Sequence, residues 1–211
     1  MNFLVALYRK LFPSWVEYLQ RELSGCDAVL DLGCGRSSPI QHCKVDFSVG
    51  VELFEPYLQE SKDKGIHNEY INSDVREIEF EAKSFDAVVC LELLEHLTKE
   101  EGCELIEKME GWARKKIVVT TPNGYLQQDS YDENLLQEHK SGWSIEELRQ
   151  LGFKVYGMKG WRQLKGHRGK IKYRPLVVWE KISHLSQAIT YYFPKLAFQL
   201  FAVKELGDRE R

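Results

Sequence analysis

The stretch Val29-Leu30-Asp31-Leu32-Gly33-Cys34-Gly35-Arg36-Ser37-Ser38 decides the fold class. It starts as a short apolar strand, meets one acid, and then turns on two glycines. Such a run is expected of a strand buried on both faces inside a parallel sheet. Gly33 and Gly35 permit the sharp turn and let a ligand come close to the main chain. Asp31 sets a carboxylate at the C-terminal edge of the strand, the edge at which open α/β sheets bind ligands.

The same alternation continues downstream. Ser48 to Glu52 reads as a second strand ending in an acid, and Asn68 to Ile71 as a third leading into Asp74. Phe85 to Leu91 is a fourth strand, Ile117 to Thr120 a fifth and Phe153 to Tyr156 a sixth. Helices fit between them. Pro56 suits a first helical turn, and Lys64-Gly65 suits a helix end. Thr98-Lys99-Glu100-Glu101 and Ser144-Ile145-Glu146-Glu147 have capping-box spacing, with a hydroxyl and a carboxylate three residues apart. The helix after Thr98 is expected to bury Cys103, Leu105, Ile106 and Met109. Strands alternating with helices predict a doubly wound parallel sheet.

Upstream, residues 2–12 are apolar at a helical period until Pro13. Ser14-Trp15-Val16-Glu17 is a further capping box, and Val16, Leu19 and Leu23 form the buried face of the helix it opens. These two helices are expected to cover the sheet. A sharper reading has the first one lid the site or lie on a membrane surface. Downstream, residues 154–174 hold eight Lys and Arg and no acid. Residues 176–192 are an apolar-periodic helix (Leu176, Trp179, Ile182, Leu185, Ile189), and 197–203 read as a last strand. One domain over 1–211 accommodates all of this: cap helices at 1–24, a core at 25–160, and a basic loop, amphipathic helix and final strand at 161–211.

The composition, 43% apolar and 29% charged with net charge -3, carries no global signal for nucleic acid or membrane. Five scattered cysteines without a CxxC argue against a disulfide framework or a structural zinc. The apolar run Phe3 to Leu7 is too short for a signal or transmembrane segment. The expected location is the cytoplasm.

The glycine turn has two readings. A dinucleotide fingerprint G-x-G-x-x-G would need a glycine where Ser38 stands. Asp31 favours the other reading, because a carboxylate there repels a pyrophosphate and attracts an ammonium or sulfonium. Glu52 can accept from two ribose hydroxyls, and Asp74 can accept from an adenine amino group. Three acids at three successive strand ends describe an adenosine with a cationic amino-acid tail, S-adenosylmethionine (SAM).

The set Asp31-Leu-Gly-Cys-Gly, Glu52, Asp74, Phe85-Asp86-Ala87-Val88-Val89 and Glu95-His96-Leu97 resembles the class I SAM-dependent methyltransferases, in particular the methyltransferase type 11 group. The resemblance covers roughly residues 25–160. It implies a Rossmann-like sheet of seven strands, mostly parallel with the last antiparallel, and helices on both faces. By that pattern Asp31, Gly33 and Gly35 contact the methionine part, Glu52 the ribose, Asp74 and Val75 the adenine, and Leu91 and Glu92 line the site. Ser37 departs from it, since a third glycine is common there.

A second constellation follows strand four. Glu92, Glu95 and His96, with His139 after strand five, open at the same sheet edge. Together they could hold Mg2+ or another divalent metal in a mixed O/N shell that lowers the pKa of an acceptor hydroxyl. The ExxEH arrangement resembles the ubiquinone-biosynthesis O-methyltransferases. With His139 added, it also resembles the small-RNA 3′-terminal 2′-O-methyltransferases. Without a metal, His96 or His139, assisted by Glu95, could serve as general base. The basic run is either a solvated loop or a recognition surface for an anionic acceptor such as nucleic acid, a phosphorylated sugar or a lipid head group. The expected activity is methylation of an oxygen on a small or lipid-linked acceptor. The alternatives are metal-assisted 2′-O-methylation of RNA and a non-catalytic adenosine-ligand-binding or membrane-associated protein.

Overall fold

The computed structural model describes residues 14–207 apart from 131, 133, 167 and 168. The helix expected over 2–12 lies outside the described residues, as do His167 and Arg168 of the basic run.

Seven strands form one sheet: β1 (Ala28–Leu32), β2 (Phe47–Val51), β3 (Glu69–Ile71), β4 (Phe85–Leu91), β5 (Ala113–Pro122), β6 (Lys154–Trp161) and β7 (Ala197–Glu205). Their order is β3-β2-β1-β4-β5-β7-β6. Strands β1 to β5 pair in parallel, and β7 runs antiparallel between β5 and β6. The order reverses direction between β1 and β4, so a crevice opens at the C-terminal ends of those two strands.

Alternation along the central strands feeds two core layers. Val29, Ala87, Val89 and Val118 cluster with Leu19 of α1 (Trp15–Glu22) and with its C-cap residue Leu23. Leu30, Leu32, Val88 and Cys90 meet α3 (Lys99–Trp112) through Leu105, Ile106 and Met109. Each such aliphatic side chain, fully buried, contributes about 1.5–3 kcal/mol. Helix α2 (Glu55–Asp63) carries Pro56 in its first turn, and α4 (Ile145–Gln150) follows Ser144. The capping boxes at Ser14, Thr98 and Ser144 are all formed, each satisfying two backbone N–H groups at a helix start.

Three details differ from the sequence reading. Cys103 is only half-buried, whereas Gly102 and Trp112 of the same helix are buried. Strand β6 continues five residues past Tyr156, so Lys159 sits on a strand and not on a loop. Its glycines and lysines look like loop residues, but pairing with β7 overrides that preference. Helix α5 (Leu176–Thr190) is turned inside out. It packs on β6 through Ser183, Gln187 and Thr190, while Ile182, Leu185 and Ile189 face outward.

Candidate active site

A cavity of about 390 Å³ lies at the β1/β4 crevice. The eight residues expected at the cofactor all line it: Asp31, Gly33, Gly35, Glu52, Asp74, Val75, Leu91 and Glu92. Gly33 and Gly35 both have left-handed backbones, φ +68° and +57°, a conformation that glycine adopts without strain. This turn points the Gly35 N–H at Glu52, whose Oε2 accepts it at 3.0 Å. The other oxygen, Oε1, accepts from the Phe54 N–H at 2.8 Å. Glu52 therefore ties the turn after β1 to the end of β2. Its carboxyl is raised by burial, against those backbone bonds.

Asp31 is fully buried. It accepts from Ser38 Oγ, and His67 Nε2 lies 3.4 Å from its Oδ2. The other ring nitrogen, His67 Nδ1, meets Ser48 Oγ at 3.1 Å. Burial pushes Asp31 up to about 7 and His67 down to about 4. The imidazole is thus neutral at physiological pH, and its approach to Asp31 is a long polar contact instead of an ion pair. Asp74 is fixed differently. It accepts from Arg76 through the backbone N–H at 2.9 Å and through Nε at 2.9 Å. That guanidinium holds its carboxyl below the usual range.

A second cavity, about 440 Å³, lies alongside and is lined by Glu92, Glu95, His96, His139, Lys159 and Lys170 among others. Glu92, His96 and Gln137 line both cavities. Glu95 and His96 stand on a 3-10 turn after β4, Leu94–His96. His139 arrives on the segment after β5, which is anchored by Lys140 N–H and Ser141 N–H bonding to the Glu95 carbonyl at 2.8 and 3.1 Å. The rings of His96 and His139 meet edge to face, centroids 4.9 Å apart. One ligand atom from each of Glu95, His96 and His139 lies within 4.8 Å of the others.

The hydrogen bonds around these three leave their lone pairs free. His96 Nδ1 donates to the Glu138 carbonyl at 3.0 Å, and His139 Nδ1 donates to the Leu126 carbonyl at 2.6 Å. Each proton is thereby fixed on Nδ1, and each Nε2 keeps its lone pair. Burial lowers both imidazoles, which keeps them neutral. Glu95 Oε2 is buried with no hydrogen-bond partner. Burial first, then the charge of Glu92, raises its carboxyl well above the usual carboxylate range. The fourth residue expected here, Glu92, is held elsewhere, by Gln199 Nε2 and by Lys159 Nζ at 3.3 Å.

A family model described as a methyltransferase domain matches residues 30–126, from the first strand through the segment after β5. Over those residues the chain carries a SAM-dependent methyltransferase domain. It is 28% identical over 169 residues to the ubiquinone biosynthesis O-methyltransferase of Bordetella avium, an alignment spanning 69% of each chain. Its fold is similar to that of a SAM-dependent methyltransferase from Archaeoglobus fulgidus, with TM-score 0.57 and 22% identity over 97% of this chain and 100% of that one. It is also similar to a small-RNA methyltransferase, with TM-score 0.57 and 17% identity over 93% of this chain and 26% of that one.

Several residues around the two cavities had no signal in the sequence. His67 backs Asp31 from a loop with no motif of its own. Trp15 of α1 lines the first cavity, although its position suggested only sheet coverage. Gln199 reaches Glu92 across 107 residues of chain. Asn134, Leu136 and Lys140 line the first cavity from the segment between β5 and α4. Lys159 and Lys170 did carry a signal, the acid-free basic run, though not their place in the second cavity.

Proposed function

We propose that this methyltransferase methylates an oxygen of a small or lipid-linked acceptor, and that Glu95, His96 and His139 hold a divalent cation beside it. One observation carries the reading. Two neutral imidazoles, both oriented by carbonyl acceptors, converge with a carboxylate oxygen that has no partner. Imidazoles that ligate metals are commonly oriented this way by their second nitrogen. An unpartnered buried carboxylate oxygen is costly unless a cation or a proton meets it. The donor set, nitrogen and hard oxygen, suits a first-row divalent ion. When bound there, such an ion lowers the pKa of an acceptor hydroxyl toward neutrality.

On this reading the first cavity takes the cofactor. Asp31 faces the cationic methionine end and Glu52 the ribose hydroxyls. Asp74 and Val75 border the adenine, Gly33 and Gly35 let the main chain approach the ligand, and Leu91 and Glu92 close the floor. The buried Asp31 supports this, because a neighbouring ammonium would offset the desolvation that now raises its carboxyl. When bound, the cofactor supplies a methyl carbon on a positively charged sulfur. The acceptor oxygen would take that methyl group as the sulfur leaves as a neutral thioether, with the acceptor's proton passing to water when a cation is bound, or otherwise to the Nε2 of His96 or His139. Holding the three atoms in line is worth roughly 7–11 kcal/mol in favourable cases. His96 and Glu92, which line both cavities, stand where that alignment has to be made. If no cation binds, the Nε2 lone pairs of His96 and His139 are the groups able to take the proton.

Mn2+ titration calorimetry on the purified chain tests the metal half. Binding at one site, weakened at least tenfold in His139→Ala, is expected. Absence of Mn2+ binding together with full turnover in EDTA would overturn it. Product analysis with labelled cofactor tests the rest, and a methylated nitrogen or carbon would overturn the oxygen assignment.

A second reading, 2′-O-methylation of RNA, rests on Lys159 and Lys170 lining the same acceptor cavity. It expects RNA affinity that falls steeply with salt. An RNA affinity insensitive to salt, or no methylated ribose, would count against it.

A further inference from the structure

We propose that the outward face of α5, with the basic strap that precedes it, docks on an anionic lipid bilayer. The proposal goes beyond the oxygen-methylation reading and stands without it. The starting point is the reversed polarity of α5. Gln187 accepts from the Gly160 N–H at 3.0 Å and donates to the Gly157 carbonyl at 2.8 Å. Ser186 Oγ accepts from the Trp161 N–H at 2.9 Å. The absence of side chains at Gly157 and Gly160 lets the helix backbone come down onto the strand at Thr190 and Ser183. Polar side chains therefore hold this helix to the protein.

Many of its apolar residues are left in water. Val178, Ile182, Leu185 and Ile189 recur at helical spacing on one side, Leu185 47% and Ile189 59% exposed. Tyr192 and Phe193 extend the stripe beyond the helix end. An exposed apolar patch of this kind on a polar-anchored helix marks an interaction surface. The helix has 15 residues, a length of about 22 Å at 1.5 Å per residue. No helix among the described residues is long and apolar enough to cross a membrane, so α5 would lie on one.

Charge selects the occupant. Arg162, Lys170, Lys172, Arg174 and Lys181 are exposed beside the stripe, and none is in an ion pair among the described residues. An amphipathic helix with exposed apolar residues and flanking cations is suited to an anionic lipid surface. The surface also continues into the site. Helix α5 runs antiparallel to β6, and its first turns extend past Trp161, the strand end that shares the cavity edge of the sheet. Lys170 of the strap lines the second cavity. A bilayer on this face would lie next to the acceptor cavity, and an acceptor dissolved in it would have a short path in.

Co-sedimentation of the full chain with vesicles tests this without acceptor or metal. Strong binding to phosphatidylcholine vesicles containing phosphatidylglycerol is expected, with weak binding to phosphatidylcholine alone. Added salt should release the protein. Each cation near the surface is worth roughly fivefold in partitioning, so Lys172→Ala/Arg174→Ala/Lys181→Ala should lose more than tenfold. Leu185→Glu/Ile189→Glu should also lose at least tenfold, with its melting temperature and its affinity for S-adenosylhomocysteine unchanged. Failure to bind anionic vesicles, or wild-type binding by the double Glu variant, overturns the proposal. So does a wild-type dimer that the double variant converts to monomer, which would make the face a contact between two copies. A large drop in melting temperature would show that the stripe packs against the chain itself and would overturn it as well.

Discussion

The two adjoining cavities differ in how their polar groups are satisfied. In the first, each acid already has protein partners: Glu52 two backbone N–H groups, Asp31 the Ser38 hydroxyl, Asp74 the Arg76 guanidinium. In the second, Glu95 Oε2 has none, and the Nε2 atoms of both histidines are turned inward with their lone pairs free. The first is a preorganised surface whose geometry exists before a ligand arrives. The second holds unmet bonding capacity, which raises the energy of the folded chain until something fills it. Substitutions should therefore act in opposite senses on the two sides.

The largest effect is expected at Glu52. Glu52→Ala removes the acceptors proposed for the ribose and also frees Gly35 and Phe54. Hydrogen bonds to a charged group are worth about 1.5–3 kcal/mol each, so affinity for S-adenosylhomocysteine should fall by roughly a hundredfold or more. Calorimetry checks this, and a loss under about fivefold would place the ribose elsewhere. Glu95→Gln should do the reverse to stability. It removes a buried carboxyl and keeps its shape, so the metal-free protein should melt at a higher temperature, by about 1–3 kcal/mol of stability, while Mn2+ affinity drops at least tenfold. If Glu95→Gln lowered the melting temperature, the contrast between the cavities would fail.

That contrast also explains what could be read from the sequence. Asp31, Glu52 and Asp74 each follow a strand within a few residues, and strand ends in a parallel sheet share one edge. Local pattern was enough to bring them together. The pairing of His96 with His139 spans 43 positions and depends on backbone bonds from Lys140 and Ser141 to Glu95. Nearness of their loops was foreseeable, but the fixed Nδ1 protons and the diversion of Glu92 were not. His67 and Gln199 carried no local signal, because each acts across the sheet. Helix α5 misleads for a related reason. Periodicity identifies an apolar face without saying which way that face points, and here hydrogen bonds to β6 determine the answer.

A smaller effect concerns pH. Burial raises Asp31 to about 7, while an unfolded aspartate titrates near about 3.9. The unfolded chain thus loses this proton first as pH rises, and the Asp31 contribution to stability declines between about pH 4 and pH 7. With the cofactor's cationic tail at Asp31, as proposed, its binding has the opposite sign, since the tail needs the ionised form. Affinity for SAM should weaken as pH falls below about 7, approaching tenfold per unit. Asp31→Asn should bind more weakly at pH 8 and show a flat profile between pH 6 and 8. A sloping profile in that variant would assign the titration to another group.

The smallest effect tests where the boundary between the cavities lies. Glu92 lines both, and it is tied to Gln199 and Lys159. If it is to join Glu95, His96 and His139 around a cation, it must first leave those partners. The Lys159 contact is a partly exposed ion pair, worth about 0–1 kcal/mol, so the restraint is weak. Gln199→Met and Lys159→Met should each tighten Mn2+ binding, by no more than about fivefold. The direction matters more than the size. Tighter binding in both variants would make Glu92 a ligand held in reserve by β6 and β7. Unchanged binding would leave a three-residue site and keep Glu92 with the cofactor, on the preorganised side of the boundary.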